Sequence, residues 1–289
     1  MAFSLRLGRA SNVILAAHGA GDGSGANRGL LRLADALVEQ RSGVRFQCAF
    51  WKGTPTFEDA ARSLRGQAPV VVPIMASGGF YARRRLPEEC AKGDPSNSFV
   101  LAPPIGTLEA FPRVLATKVS EAVTDMTRRG LDPVVLLVGH GASRIRSSGD
   151  SARRVEARLA LTFPRTEIIT AFLDEFPYLA DVAMSLGDRA VVVAPLLLGG
   201  GPHVSVDLVR AFDTSRTSSG QPRASDTLRI LPPILDWPEL ASLALEAIDS
   251  ASVPAAWRGP KGRPRRVRFA ESMSNSLSLP LRVGSPSVP

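Results

Sequence analysis

Only three histidines occur in 289 residues, and each follows an apolar run that ends beside glycine. His18 lies in "ILAAHGAG" (14–21), His140 in "LLVGHGAS" (136–143) and His203 in "LLLGGGPHVSVDL" (196–208). Imidazole is the commonest metal-ligating side chain, and its unperturbed titration falls near neutral pH. Two such groups at neighbouring strand ends could therefore hold one divalent ion or shuttle protons. Asp174 and Glu175, in "AFLDEFP", add oxygen donors. A mixed nitrogen and oxygen set of this kind suits cobalt, iron or nickel without choosing among them.

The phrase around the first two histidines is written twice because the chain is duplicated. Sliding the sequence by 122 positions brings His18 onto His140, Phe50 onto Phe172, Pro55 onto Pro177, Pro73 onto Pro195 and Gly78-Gly79 onto Gly200-Gly201. The match runs without a gap from residue 14 to residue 86, with about a quarter of the positions identical. It resumes where "LAPPIGTLEAFPRVLA" (101–116) meets "ILPPILDWPELASLA" (230–244). Each half thus reads as a complete unit, residues 12–127 and residues 132–249.

Within a unit, strands alternate with helices. "NVILAA" and "PVVLLVG" are short β-branched runs of the kind buried on both faces of a sheet. "NRGLLRLADALVEQ" and "SARRVEARLALTF" space their apolar residues three and four apart, as helices do. A second strand, a helix after Pro55 or Pro177, a third strand, a glycine-rich turn, and a closing helix and strand complete the unit. The fold class is therefore α/β, with two tandem pseudo-symmetric lobes, each a parallel sheet covered on both sides. Ligands of such sheets sit beyond the carboxyl ends of the strands, where His18 and His140 fall.

The two halves differ at the positions that matter for a metal. Tyr81 stands opposite His203, and Lys52-Gly53 stand opposite Asp174-Glu175. Lysine repels a metal cation, so the spacing assigns the metal to the second half, through His140, His203 and either Asp174 or Glu175. The first half then shapes the substrate and keeps only His18.

The remaining composition narrows the partners. Net charge is +8, but from residue 250 onward seven basic residues face one acid, so the folded part is close to neutral. Residues 250–289, rich in Pro, Ser and Gly, read as a basic disordered tail; a nucleic-acid partner would rest on this tail alone. Cys48 and Cys90 have no metal-ligand spacing and read as ordinary thiols. The absence of a long apolar run and of a secretory pattern at the start makes the cytoplasm the expected location, with no membrane partner.

In order and spacing, "VGHGAS", "AFLDEFPYLADV" and "VVVAPLLLGGGPHVSVDL" resemble the sirohydrochlorin chelatases, class II enzymes that insert Co²⁺ or Fe²⁺ into sirohydrochlorin for cobalamin or sirohaem. The resemblance spans residues 12–250 and implies a chelatase-like fold. It also implies that His140 and His203, with Asp174 or Glu175, bind the metal and accept the pyrrole protons. The usual Phe-Leu-Glu reads Phe-Leu-Asp here, followed by a glutamate. The partners implied are a tetrapyrrole and its metal substrate, Co²⁺, Fe²⁺ or Ni²⁺, with no further cofactor. Since the tetrapyrrole is a polycarboxylate, Arg83, Arg84, Arg85, Arg144 and Arg146 are the expected carboxylate contacts, with His18 also facing the substrate. The chain is expected to be a monomer or a homodimer. A tetrapyrrole or metal carrier is the alternative. A histidine phosphatase would need Arg-His-Gly, where this chain has Ala-His-Gly and Gly-His-Gly.

Overall fold

The computed structural model describes residues 11–19, 27–141, 149–199, 203–213 and 225–251, and for residues 203–205, 213 and 225 the backbone alone. The first half contributes β1 (Asn12–Ala17), α1 (Arg28–Gln40), β2 (Arg45–Phe50), α2 (Phe57–Ser63), β3 (Val70–Pro73), α3 (Leu86–Gly93), β4 (Val100–Leu101) and α4 (Ala110–Arg128). The second contributes β5 (Val134–Gly139), α5 (Asp150–Thr162), β6 (Ile168–Phe172), α6 (Leu179–Ser185), β7 (Val191–Pro195), α7 (Val209–Asp213), β8 (Leu228–Ile230) and α8 (Leu240–Asp249). A π-helical turn precedes α3 at Tyr81–Arg85, and its counterpart, His203–Leu208, precedes α7.

Both sheets are four-stranded and wholly parallel, in the orders β2-β1-β3-β4 and β6-β5-β7-β8. Alternate residues of β1 point opposite ways: Val13, Leu15 and Ala17 enter the central core, while Ile14 and Ala16 join an outer cluster with Phe57, Leu64 and Leu86. In β5, Val135 and Leu137 face the central core, whereas Val134, Leu136 and Val138 meet Leu179 and Phe212 outside. Two covered faces explain why these strands are continuously apolar. The repeat survives in the backbone, since α1 and α5, and α2 and α6, begin and end 122 residues apart. Each half also carries a cis X-Pro bond at the equivalent place, Thr54-Pro55 and Phe176-Pro177.

The halves exchange their last helices. α4 packs on α5 and on β7 of the second sheet, and α8 packs on α1 and on β3 of the first. The inner face of each sheet is thus completed by a helix from the other half, and one continuous core contains residues of both. Phe111 at the start of α4 stacks on Trp237 (centroids 5.4 Å apart), and Lys118 Nζ lies 2.8 Å from Glu239 Oε2. Burial pushes the Glu239 carboxyl upward, but hydrogen bonds from Lys118 and a backbone amide outweigh it and hold the group below its ordinary range. Arg41 in α1 forms a two-pronged pair with Asp249 in α8 at 2.9 and 2.8 Å.

Burial raises the thiols of Cys48 to about 11 and Cys90 to about 12, so neither is a thiolate at neutral pH. No helix among the described residues is long and apolar enough to cross a membrane. Of residues 250–289, read above as a tail, 252–289 lie outside the described residues, while Ala251 is buried in the central core and so belongs to the folded part.

Candidate metal centre

In the order β6-β5-β7-β8 the chain leaves β5 toward one edge and returns through β7 on the other side. The carboxyl ends of β5 and β7 therefore flank the crevice where doubly wound sheets bind ligands. His140 is the first residue after β5, and His203 opens the helical turn after β7. His18 and Tyr81 hold the same two positions in the first half.

A tight turn aims each leading histidine. Gly19 and Gly141 have φ of +71° and +73°, a conformation that costs glycine least. A side chain would not fit there either. A Cβ at Gly141 would stand 2.6 Å from Glu175 Cβ, and one at Gly19 would stand 2.2 Å from the Lys52 carbonyl oxygen. The following loops are clipped alongside: the Asp174 N–H donates to the His140 carbonyl (2.9 Å), and the Lys52 N–H to that of His18 (2.7 Å).

The halves then part chemically. His140 Nδ1 lies 3.3 Å from the Gly141 carbonyl oxygen and 3.3 Å from Asp174 Oδ2. Both neighbours are acceptors, which favours the tautomer protonated on Nδ1 and assigns the lone pair to Nε2. The two side chains are 50% and 59% exposed, so a ligand can reach them. In the first half the His18 ring meets Tyr81 edge-on, with centroids 5.2 Å apart.

The open choice between the two acids is narrowed by what surrounds them. Glu175 is only 14% exposed and takes a 2.7 Å hydrogen bond from Arg153 in α5, whose guanidinium also lies 5.0 Å from the centre of the Phe172 ring. Asp174 faces His140 instead. Glu175→Gln should leave the KM for metal within about threefold of wild type, whereas Asp174→Asn should raise it about 10- to 100-fold, the usual range for a carboxylate that orients a ligating histidine. Steady-state titration with the metal ion checks both. Among the described residues no three His, Cys, Asp or Glu side chains form a metal-binding group; the His203 side chain lies outside them.

Comparison with known proteins decides the family. The CbiX family model matches residues 12–122 and again residues 134–251. The chain belongs to the CbiX family. A probable sirohydrochlorin cobaltochelatase of Halobacterium salinarum is 24% identical over 218 residues, covering 68% of this chain and 74% of that one. Two solved structures share the fold. One is CbiX, described as the terminal enzyme of sirohaem biosynthesis in denitrifying bacteria (TM-score 0.67, 24% identity, 84% of this chain and 100% of that one). The other is SirB from Bacillus subtilis with Fe³⁺ (TM-score 0.66, 18% identity, 83% of this chain and 95% of that one).

Of the arginines expected to rim the site of this CbiX family member, Arg144 and Arg146 lie outside the described residues. Arg83, Arg84 and Arg85 occupy the π-helical turn of the first half. Arg84 pairs with Glu88 (3.0 Å), and Arg85 lies 4.5 Å from the centre of the Trp51 ring, with Glu88 and Glu89 at 3.9 and 3.6 Å. Sequence reasoning missed Arg153 and Trp51. A signal for Arg153 was present in the self-alignment, where Arg153 and Glu175 are replaced together by Leu31 and Gly53.

Proposed function

We propose that this protein inserts a divalent metal ion, Co²⁺ or Fe²⁺, into sirohydrochlorin. The observation that carries the reading is the His140–Asp174 pair at the crevice beside β7, the strand after which His203 follows. Membership of the CbiX family supports the same conclusion.

The reaction exchanges one divalent ion for two pyrrole N–H protons, so the site must hold the ion, release it and receive protons. In this reading His140, through Nε2, and His203 hold the incoming ion. Asp174 keeps the His140 proton on Nδ1 and orients the ring, as carboxylates commonly do behind ligating histidines. Once the ion has passed to the macrocycle, the vacated imidazole nitrogens accept the pyrrole protons. No organic cofactor takes part.

Purified protein should convert metal-free sirohydrochlorin to its metal complex over many turnovers with Co²⁺, Fe²⁺ or Ni²⁺, followed by absorbance. Stoichiometric binding without turnover would replace the enzyme reading with a carrier. No binding of sirohydrochlorin and no insertion with any of the three ions would overturn both.

A further inference from the structure

The first half keeps the architecture of the metal centre but reverses its charge. Lys52 occupies the register position from which Asp174 reaches His140, and its backbone N–H is bonded to the His18 carbonyl. Its side chain is exposed, and among the described residues nothing pairs with the ammonium group. Tyr81 stands in the position of His203 and meets the His18 ring edge-on. Beyond it the aromatic contacts continue: Trp51 lies 6.0 Å and Phe80 5.8 Å from Tyr81, centre to centre, and the Arg85 guanidinium sits over Trp51. Phe80 and Tyr81 are 40% and 42% exposed, unusual for large aromatics in a folded core.

This cluster lies at the switch point of the first sheet, beyond the adjacent carboxyl ends of β1 and β3. It is also linked to the second rim. Gly29, in the first turn of α1, lies so close to Leu235, after β8, that a Cβ there would stand 2.9 Å from the leucine Cβ. The Leu235 N–H in turn donates to the carbonyl of Leu198, which follows β7 (2.6 Å). The two switch points are thus joined through the segment that follows β8.

We propose that the first half is a carboxylate-holding half-site for the tetrapyrrole: Lys52 and Arg85 bind the peripheral carboxylates, and Trp51 and Tyr81 support the macrocycle. The inference rests on the sirohydrochlorin reading above. Cations with an adjoining aromatic shelf match a ligand that is a flat apolar ring bordered by anions. Arg85 is partly offset by Glu88 and Glu89, but the Lys52 ammonium, in the place of Asp174, repels a divalent ion, so duplication has left one half to hold the metal and the other to hold its acceptor.

The test compares wild type with Lys52→Gln, Lys52→Glu and Lys52→Arg, all at an exposed position. Kd for metal-free sirohydrochlorin is read by fluorescence quenching, and KM for both substrates by the insertion assay. Loss of one charge-assisted contact should raise Kd and KM for sirohydrochlorin about tenfold in Lys52→Gln and further in Lys52→Glu, with Lys52→Arg close to wild type. The KM for metal should not move. Wild-type binding should weaken with added salt, and that of Lys52→Gln should weaken less steeply. Unchanged sirohydrochlorin Kd and KM in an active enzyme would overturn the half-site alone. A shift confined to the metal KM would also overturn it, placing Lys52 in the metal step. Wild-type protein that neither binds nor metallates sirohydrochlorin would overturn the functional reading itself, and the half-site with it.

Discussion

His140→Ala should lower the rate of metal insertion about a hundredfold or more, the scale on which a positioned proton acceptor contributes, with a further loss of metal affinity. His203→Ala should do the same, and the two together should cost little more than either alone, since a site with one imidazole left holds the ion poorly. His18→Ala should cost far less. Its ring packs against Tyr81, and no carboxylate stands in the position that Asp174 holds beside His140. Rates over a metal titration, with circular dichroism to verify folding, read all four variants. Equal losses at His18 and His140 would show that the two halves share one site, and loss at His18 alone would remove the metal centre from the second half.

Phe111→Ala should lower the free energy of unfolding by about 3–5 kcal/mol, the usual cost of emptying a large buried aromatic position. Phe111 is 1% exposed, and its ring stacks on Trp237 from the other half. Because α4 and α8 are exchanged, the loss should fall on the whole molecule. Urea unfolding, followed by tryptophan fluorescence and by far-ultraviolet circular dichroism, should give one coincident transition at a lower midpoint. Two separated transitions would mean that the halves are stable on their own. For the same reason, a chain limited to residues 12–127 should fail to fold, since it would expose both the sheet face that α8 covers and the apolar face of α4.

Local rules explain what was legible in the sequence. Strands buried on both faces have to be continuously apolar, and helices with one buried face have to space their apolar residues three and four apart, so β1, β5, α1 and α5 could be read directly. The duplication made the second reading a test of the first. Gly19 and Gly141 follow their histidines because the turn needs a positive φ and leaves no space for a Cβ. The repeat also exposed the chemical difference between the halves, because Lys52 and Tyr81 stand where Asp174 and His203 would be needed.

Tertiary structure alone decided three things. The exchange of α4 and α8 could not be read, because an amphipathic helix states which face it buries and not which sheet it buries it against. Which of Asp174 and Glu175 stands beside His140 turned on Arg153, distant in sequence, which draws Glu175 into a covered ion pair, while Asp174 lies against the imidazole. The cluster of Trp51, Tyr81, Arg85 and His18 joins three loops, after β1, β2 and β3, that meet only once the strand order β2-β1-β3 is formed. Residue type and spacing along the chain determined which groups could do the chemistry; packing between distant segments determined which of them face one another, because contact energy depends on distance in space and not on separation in sequence.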